Sequence, residues 1–161
     1  MTNMDEITLR PLTPENWQAC IQLRVREDQQ NFVAANLYSL AEARIYPECV
    51  PLAIYAGDTM VGFLMHALSR EDQRYWLIRF MIDGQYQGRG YGRAALRVAI
   101  DEISKQPGCE QIYLSYEPEN HQAEQLYASF GFVPTGEILE GEKVVCLELS
   151  RDEAARTAGA A

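Results

Sequence analysis

The stretch FMIDGQYQGRGYGRAAL, Phe80 to Leu96, decides how this chain is read. It opens as an apolar, strand-like run, passes through Gly88-Arg89-Gly90-Tyr91-Gly92, and continues as the start of a helix. Three glycines in five residues are costly unless the backbone uses their freedom, because glycine loses more conformational entropy on folding than any other residue. A strand, a glycine-rich turn and a helix start, in that order, make an anion site. The first N–H groups of a helix have no partner within it, and the helix dipole favours negative charge there. Phosphate is the expected guest.

Two familiar nucleotide motifs fit the stretch poorly. A phosphate loop of the Walker type needs Gly-Lys-Ser/Thr, which is absent from the sequence. A dinucleotide fingerprint needs G-x-G-x-x-G or a final Ala. Gly88-x-Gly90 leads to Arg93, and Gly90-x-Gly92 leads to Ala95 as a weak match only. The strands before the glycines also read as an antiparallel meander and not as the opening of a βαβ unit.

Working outward, ITLRPL (7–12) alternates apolar and polar residues and reads as a strand. Thr13-Pro14 opens a helix, with Thr13 as cap and proline at the first helical position. That helix is expected to turn Trp17, Cys20, Ile21 and Leu23 inward and to reach about Arg26. SLAE (39–42) has the capping-box pattern, Ser39 as cap and Glu42 three residues on, for a short second helix ending before Pro47. Residues 51–68 read as two strands joined at Gly57-Asp58, and 74–82 as a third. The glycine segment opens a helix whose Ala95, Leu96, Ala99, Ile100 and Ile103 share one face. A strand at 111–117, a helix from Asn120 to Gly131 and a hairpin turning at Glu140-Gly141 complete the pattern. The order β-α-α-β-β-β-α-β-α-β-β predicts an α/β (α+β) fold over residues 1–150, one domain, with 151–161 as a frayed tail.

Composition narrows the function. A formal charge of −9 and a pI near 4.7 argue against nucleic acid as partner, because that partner normally selects a basic surface. The same charge suits a cationic small molecule, although solubility alone would explain it equally well. No apolar run reaches the ~20 residues that cross a bilayer, and the N-terminus lacks a secretory pattern, so a cytoplasmic location is expected. Cys20, Cys49, Cys109 and Cys146 are scattered and fit buried thiols. With His66 and His121 isolated, no metal site is expected.

Gln87-x-x-Gly90-x-Gly92 resembles the Q/R-x-x-G-x-G/A signature of the GNAT acetyltransferases. NHQAEQLYASFGF (120–132) is similar to a second block of those chains, with Asn120, Ala123, Tyr127, Gly131 and Phe132 on its positions. The resemblance covers roughly residues 6–150. It implies a mixed, mostly antiparallel sheet flanked by helices, and acetyl transfer from acetyl-CoA to an amine. It further implies that Phe80, Met81 and Ile82 pair with the pantetheine arm. Gln87, Gly88, Arg89, Gly90, Tyr91, Gly92 and Arg93 would hold the pyrophosphate region, and Asn120 would touch the cofactor. Tyr127 is implied as the acid for the departing thiolate, although a tyrosine on an amphipathic helix also suits a core position. Dimerisation is common among such proteins, so a homodimer is admitted, but the residues give no sign of one.

The acceptor is read less directly. WLIRFMIDGQYQGRGYG, IYLSYEPENHQAEQLYASFGF and GEILEGEKVVCLEL resemble the bacterial spermine/spermidine (diamine) N-acetyltransferase branch. That implies a polyamine or similar small amine as acceptor, with Glu27, Asp28, Gln30 and Glu117 as candidate contacts. Aminoglycoside or protein N-terminal acetylation are the enzyme alternatives, and an acetyl-CoA-binding sensor without turnover is the other class. The polyamine enzymes often carry an acid just before the cofactor-pairing segment. Here that place holds Ile78 and Arg79, so the base is open among Glu27, Asp28, Glu117 and a water chain. Arg79 within an apolar strand needs a partner, expected to be an acid from the region of the first helix.

Overall fold

Alternation, punctuation and two-residue turns set the order of elements. The computed structural model describes residues 5–150, so the expected tail lies outside the described residues. The chain runs through β1 (Ile7–Pro11), α1 (Trp17–Gln22), a 3-10 turn (Glu27–Gln29), α2 (Asn36–Ile45), β2 (Cys49–Ala56), β3 (Thr59–Leu68) and β4 (Tyr75–Ile82). It continues through α3 (Tyr91–Ser104), β5 (Gln111–Tyr116), α4 (His121–Ser129), β6 (Val133–Leu139) and β7 (Glu142–Glu148). Apart from the 3-10 turn, this is the expected order. The strands form a seven-stranded sheet in the order β1-β2-β3-β4-β5-β7-β6. It is mixed and mostly antiparallel: β1–β2, β5–β7 and β6–β7 run antiparallel, and β4–β5 runs parallel. The fold class is the one expected.

One expectation about β4 is overturned. A parallel neighbour needs a crossover connection, and α3 supplies it, so β4 does open a βαβ unit. The meander reading covered the strands up to β4 and did not foresee that the strand expected at 111–117 pairs parallel with it.

The residues fall into two parts. The first comprises the chain up to His66 together with Arg79–Ala99. Its core is the middle of β2 and β3, where Ala53, Ile54, Phe63, Leu64 and Met65 are fully buried beside the α3 residues Ala95, Leu96 and Ala99. From Val61 to Ala67 every residue of β3 is buried, the signature of a strand covered on both faces. His66 is among them, a core histidine as expected. Gly62 is there because nothing larger fits: a Cβ would lie 2.3 Å from the Met81 carbonyl oxygen.

The second part comprises Ala67–Ile78 and the chain from Ile100 onward. Ile112, Leu114 and Val145 share one buried sheet face, Val144 is buried on the other, and Ile103 and Cys109 are buried as well. The β6–β7 turn carries Glu140 and Gly141 at φ +50° and +85°, the left-handed pair that a two-residue hairpin requires.

The first two helices depart from expectation. Asn16, not Thr13, precedes α1, and the Thr13 carbonyl accepts from the Asn16 and Trp17 N–H groups. Asn16 Oδ1 accepts from the Thr13 N–H at 2.7 Å, closing a turn where a first helical turn was expected. Among α1 residues only Cys20 is buried, and Trp17 is 39% exposed. The helix ends at Gln22, not near Arg26, because the backbone is drawn away at Arg24 to bond residues 83 and 84. Ser39 caps nothing: α2 begins at Asn36, and Ser39 is a fully buried helical residue. Asn36 is instead tied back to α1, its Nδ2 donating to the Cys20 carbonyl at 2.9 Å.

Three cysteines, Cys20, Cys109 and Cys146, are buried and Cys49 is half-buried, all as free thiols. Burial pushes the Cys20 and Cys109 thiols up to about 11. No described helix is long and apolar enough to cross a membrane.

Candidate active site

In the first part, the end of β4 runs directly into the glycine loop and α3. The parallel β4–β5 register contains only Tyr75↔Ile112 and Trp76↔Tyr113. The backbone of Phe80, Met81 and Ile82 therefore stands outside that ladder, which leaves that edge of the strand for another hydrogen-bonding chain. After Ile82 the chain turns on the buried Asp83. Its Oδ1 accepts from the Gln85 N–H at 2.9 Å, an Asx turn, and its Oδ2 accepts from the Arg24 N–H at 2.8 Å. The Gly84 N–H returns a bond to the Arg24 carbonyl at 2.8 Å.

A third tie comes from Gln87. Its Nε2 donates to the Ile82 carbonyl at 2.9 Å and to Gln29 Oε1 at 2.8 Å. Gln29 Oε1 also accepts from the Arg26 N–H at 3.1 Å. The turn holding Glu27 and Asp28 is thus fastened to the base of the glycine loop. Gln87 Oε1 is buried and has no hydrogen-bond partner among the described residues.

The glycines do different work. Gly88 and Gly90 have φ of +78° and +86°, a region that side-chain-bearing residues rarely adopt. A Cβ at Gly88 would meet nothing within 4 Å, and one at Gly92 only Ile82 Cγ1 at 3.9 Å. The space around the loop is therefore open in the protein itself. Cationic side chains flank it. Arg89 donates to the Gln85 carbonyl at 3.2 Å and lies over the Tyr86 ring, and Arg93 is exposed in the first turn of α3. Tyr91, the first residue of α3, is half-buried.

Two side chains of α2 reach β4. The Asn36 Nδ2 lies 3.9 Å from the Met81 sulfur, and Glu42 Oε2 lies 3.5 Å from Arg79 Nη2. Arg79 thus has an acidic partner, but it comes from the second helix and not from the region of the first. Of the candidate acceptor contacts in this part, Glu27, Asp28 and Gln30 are all exposed, and Asp28 makes a loose ion pair with Arg26 Nε at 3.9 Å.

The second part carries the remaining candidates. Asn120 caps α4, its Oδ1 accepting from the Ala123 N–H at 3.3 Å, while its Nδ2 has no partner among the described residues. The Glu117 carbonyl accepts from the Asn120 N–H, and the Glu117 side chain is half-buried. Tyr127 is buried between the rings of Tyr116 and Phe132, with centroids at 5.9 and 5.8 Å. Its hydroxyl has no hydrogen-bond partner among the described residues. Burial pushes this phenol well above its ordinary range, and the negative charge of Glu142 adds to the shift. A phenol of this kind keeps its proton at neutral pH and has a donor to offer.

Sequence reasoning did not mark Asp83, nor foresee that Gln29 meets Gln87 or that Glu42 meets Arg79. Asp83-Gly84 was legible as an Asx turn. The contacts of Gln29 and Glu42 carry no local signal, because their partners are 58 and 37 positions away.

Residues 15–132 match the acetyltransferase (GNAT) family. Spermine/spermidine N(1)-acetyltransferase of Bacillus subtilis strain 168 is 34% identical over 150 residues, spanning 89% of this chain and 99% of the relative. Among solved structures, spermidine N-acetyltransferase from Vibrio cholerae in complex with CoA and spermine superposes with a TM-score of 0.71 at 18% identity, covering 93% of this chain and 98% of the other. PaiA N-acetyltransferase from Thermoplasma acidophilum in complex with coenzyme A gives a TM-score of 0.68 at 15% identity, covering 89% and 99%.

Proposed function

Since the chain belongs to the GNAT acetyltransferase family, an N-acetyltransferase family that uses acetyl-CoA, we propose that it moves acetyl from acetyl-CoA to a primary amine of a polyamine, with Tyr127 as general acid. The observation that carries the reading is the strand–loop–helix at Phe80–Arg93, with its open glycine positions, left-handed turns and flanking arginines. Those residues fit acetyl-CoA. Helix-start N–H groups and two guanidiniums suit pyrophosphate, and free strand backbone suits the amides of pantetheine.

Phe80, Met81 and Ile82 would hold the pantetheine arm by main-chain bonds. Gly88 to Gly92 would receive the pyrophosphate, with Arg89 and Arg93 as charge partners, and Asn120 would lend its Nδ2 to the arm. Gln87 acts chiefly inside the protein, holding the loop to Ile82 and Gln29. The thioester supplies an activated acyl group. The protein must present the amine uncharged and provide a proton for the leaving sulfur. Tyr127, buried, neutral and with its hydroxyl unengaged, is suited to the second task.

The polyamine assignment draws on the relative in Bacillus subtilis, whose similarity extends over nearly its whole length. It also draws on the acidic turn at Glu27 and Asp28 and on the net charge of −9. The test is CoA release from acetyl-CoA against spermine, spermidine, putrescine, an aminoglycoside and a short peptide. Saturable turnover with a polyamine supports the reading. Turnover with the peptide or aminoglycoside alone discards the acceptor, and tight acetyl-CoA binding without turnover across the panel discards the enzyme mechanism.

A further inference from the structure

We infer that Glu42, held in place by Arg79, is the carboxylate that receives the acceptor's ammonium group at the end of β4, supplying from α2 the acid that β4 itself lacks. The inference rests on the polyamine reading above and gives Glu42 a role in place of the capping one that the SLAE pattern suggested, since Ser39 lies inside the helix.

Position comes first. Arg79 immediately precedes Phe80–Ile82, the segment whose backbone lies outside the β4–β5 ladder. Side chains alternate along a strand, so Arg79 and Met81 point to one face and Phe80 to the other. The two contacts of α2 with that face, Asn36 to Met81 and Glu42 to Arg79, bring the Glu42 carboxylate beside this segment. A carboxylate on residue 79 itself would project on the same face.

Chemistry follows from how the carboxylate is held. The side chains of Glu42 and Arg79 are 23% and 19% exposed, so both are largely withdrawn from water yet still reachable. Only Oε2 of Glu42 faces the guanidinium, at 3.5 Å. Oε1 has no hydrogen-bond partner among the described residues, and an ammonium N–H can donate to it. Arg79 is the positioning residue of this arrangement and Glu42 the specificity-determining one.

The experiment is Glu42→Gln, which keeps the shape and leaves an amide oxygen for Arg79 while removing the charge. The expected result is a KM for spermidine raised about 10- to 100-fold, the range for losing one charge-assisted hydrogen bond. Acetyl-CoA affinity, measured by calorimetry on the same protein, should stay within about twofold of the parent, since one unchanged binding site implies an unchanged constant. Glu42→Asp is the second variant: it retains the charge but withdraws the carboxylate by about one C–C bond, and should raise the spermidine KM in the same direction by less. An unchanged spermidine KM in either folded variant overturns the inference. So does a loss shared equally by spermidine KM and acetyl-CoA affinity, which is what a purely structural brace produces. If the parent protein turns over no polyamine at all, the functional reading fails first. Parental turnover with an unaffected Glu42→Gln variant sinks this inference alone.

Discussion

Replacing Gly62 by alanine tests how tightly β3 and β4 are placed behind the cofactor segment. Two effects oppose each other. Glycine inside a strand is less stable than alanine by roughly 0.5–1 kcal/mol, so an uncrowded position would gain from the change. Position 62 is crowded. The new Cβ would lie 2.3 Å from the Met81 carbonyl oxygen, 2.9 Å from Ile82 Cδ1 and 3.2 Å from Ile54 Cδ1. The two isoleucine contacts can relax by small torsional changes. The carbonyl cannot, because it belongs to the backbone of β4, and it must recede by about 0.7 Å before the pair even reaches 3.0 Å. Overpacking of this kind costs about 1–3 kcal/mol, so collision outweighs propensity and the net change is destabilising. At about 2–4 °C per kcal/mol for a chain of this size, the midpoint of thermal unfolding should fall by several degrees. The displaced residue is Met81, so the KM for acetyl-CoA should rise in the same variant while it is still folded at the assay temperature. Thermal denaturation and steady-state kinetics on one preparation read both. A Gly62→Ala protein with a raised midpoint and an unchanged acetyl-CoA KM would refute the packing argument and its link to the cofactor segment together.

Other substitutions separate binding from chemistry. Tyr127→Phe should lower kcat by about 10²–10⁴-fold, the usual worth of a positioned acid, with acetyl-CoA affinity retained, measured by kinetics and calorimetry. Its thermal midpoint at pH 7 should move little, since the hydroxyl bonds to nothing among the described residues. Gly90→Val combines a φ of +86° with a side chain at the anion site, and calorimetry should find acetyl-CoA binding lost. Near-normal affinity would remove the loop from the cofactor site. Gly92→Ala meets only Ile82 Cγ1 at 3.9 Å and replaces a helical glycine, so thermal denaturation should show a raised midpoint. The buried Tyr127 also sets an alkaline limit. Its phenol is raised in the folded protein, so unfolded chains lose the proton first, near pH 10. The stability it contributes is complete below about pH 10 and declines as pH climbs toward the higher folded value. Unfolding midpoints between pH 8 and 11 should fall less steeply in Tyr127→Phe than in the parent.

Much of the fold was legible because its signals are local. Gly57-Asp58 and Glu140-Gly141 each sit between strand-like runs, and two-residue turns of that composition favour a hairpin. The face of α3 was readable from a spacing that burial then follows, at Ala95, Leu96, Ala99 and Ile103. The failures share a cause in tertiary contacts. SLAE has a capping pattern, yet Asn36 finds a better bond in the Cys20 carbonyl, and the helix starts three residues before Ser39. The first helix stops short because Asp83 and Gly84 capture Arg24, a partnership 59 residues apart that no window around Arg24 contains.

The site divides along the same line. Residues that meet a ligand through backbone leave marks in the sequence, since left-handed turns at Gly88 and Gly90 admit almost no other residue. Residues that orient those backbones do not. Gln29 is one glutamine among several in QQNF and its surroundings, and only the fold shows it accepting from both Arg26 and Gln87. Arg79 is the informative intermediate. A lone cation in an apolar strand announces that a partner exists without saying where, because a half-buried guanidinium is stable only when paired. The expected partner is an acid near the first helix. The actual partner, Glu42, lies on the second helix. An unpaired charge in a sequence is therefore best treated as half of a contact. Here the other half lies on the second helix, 37 positions before the arginine it meets.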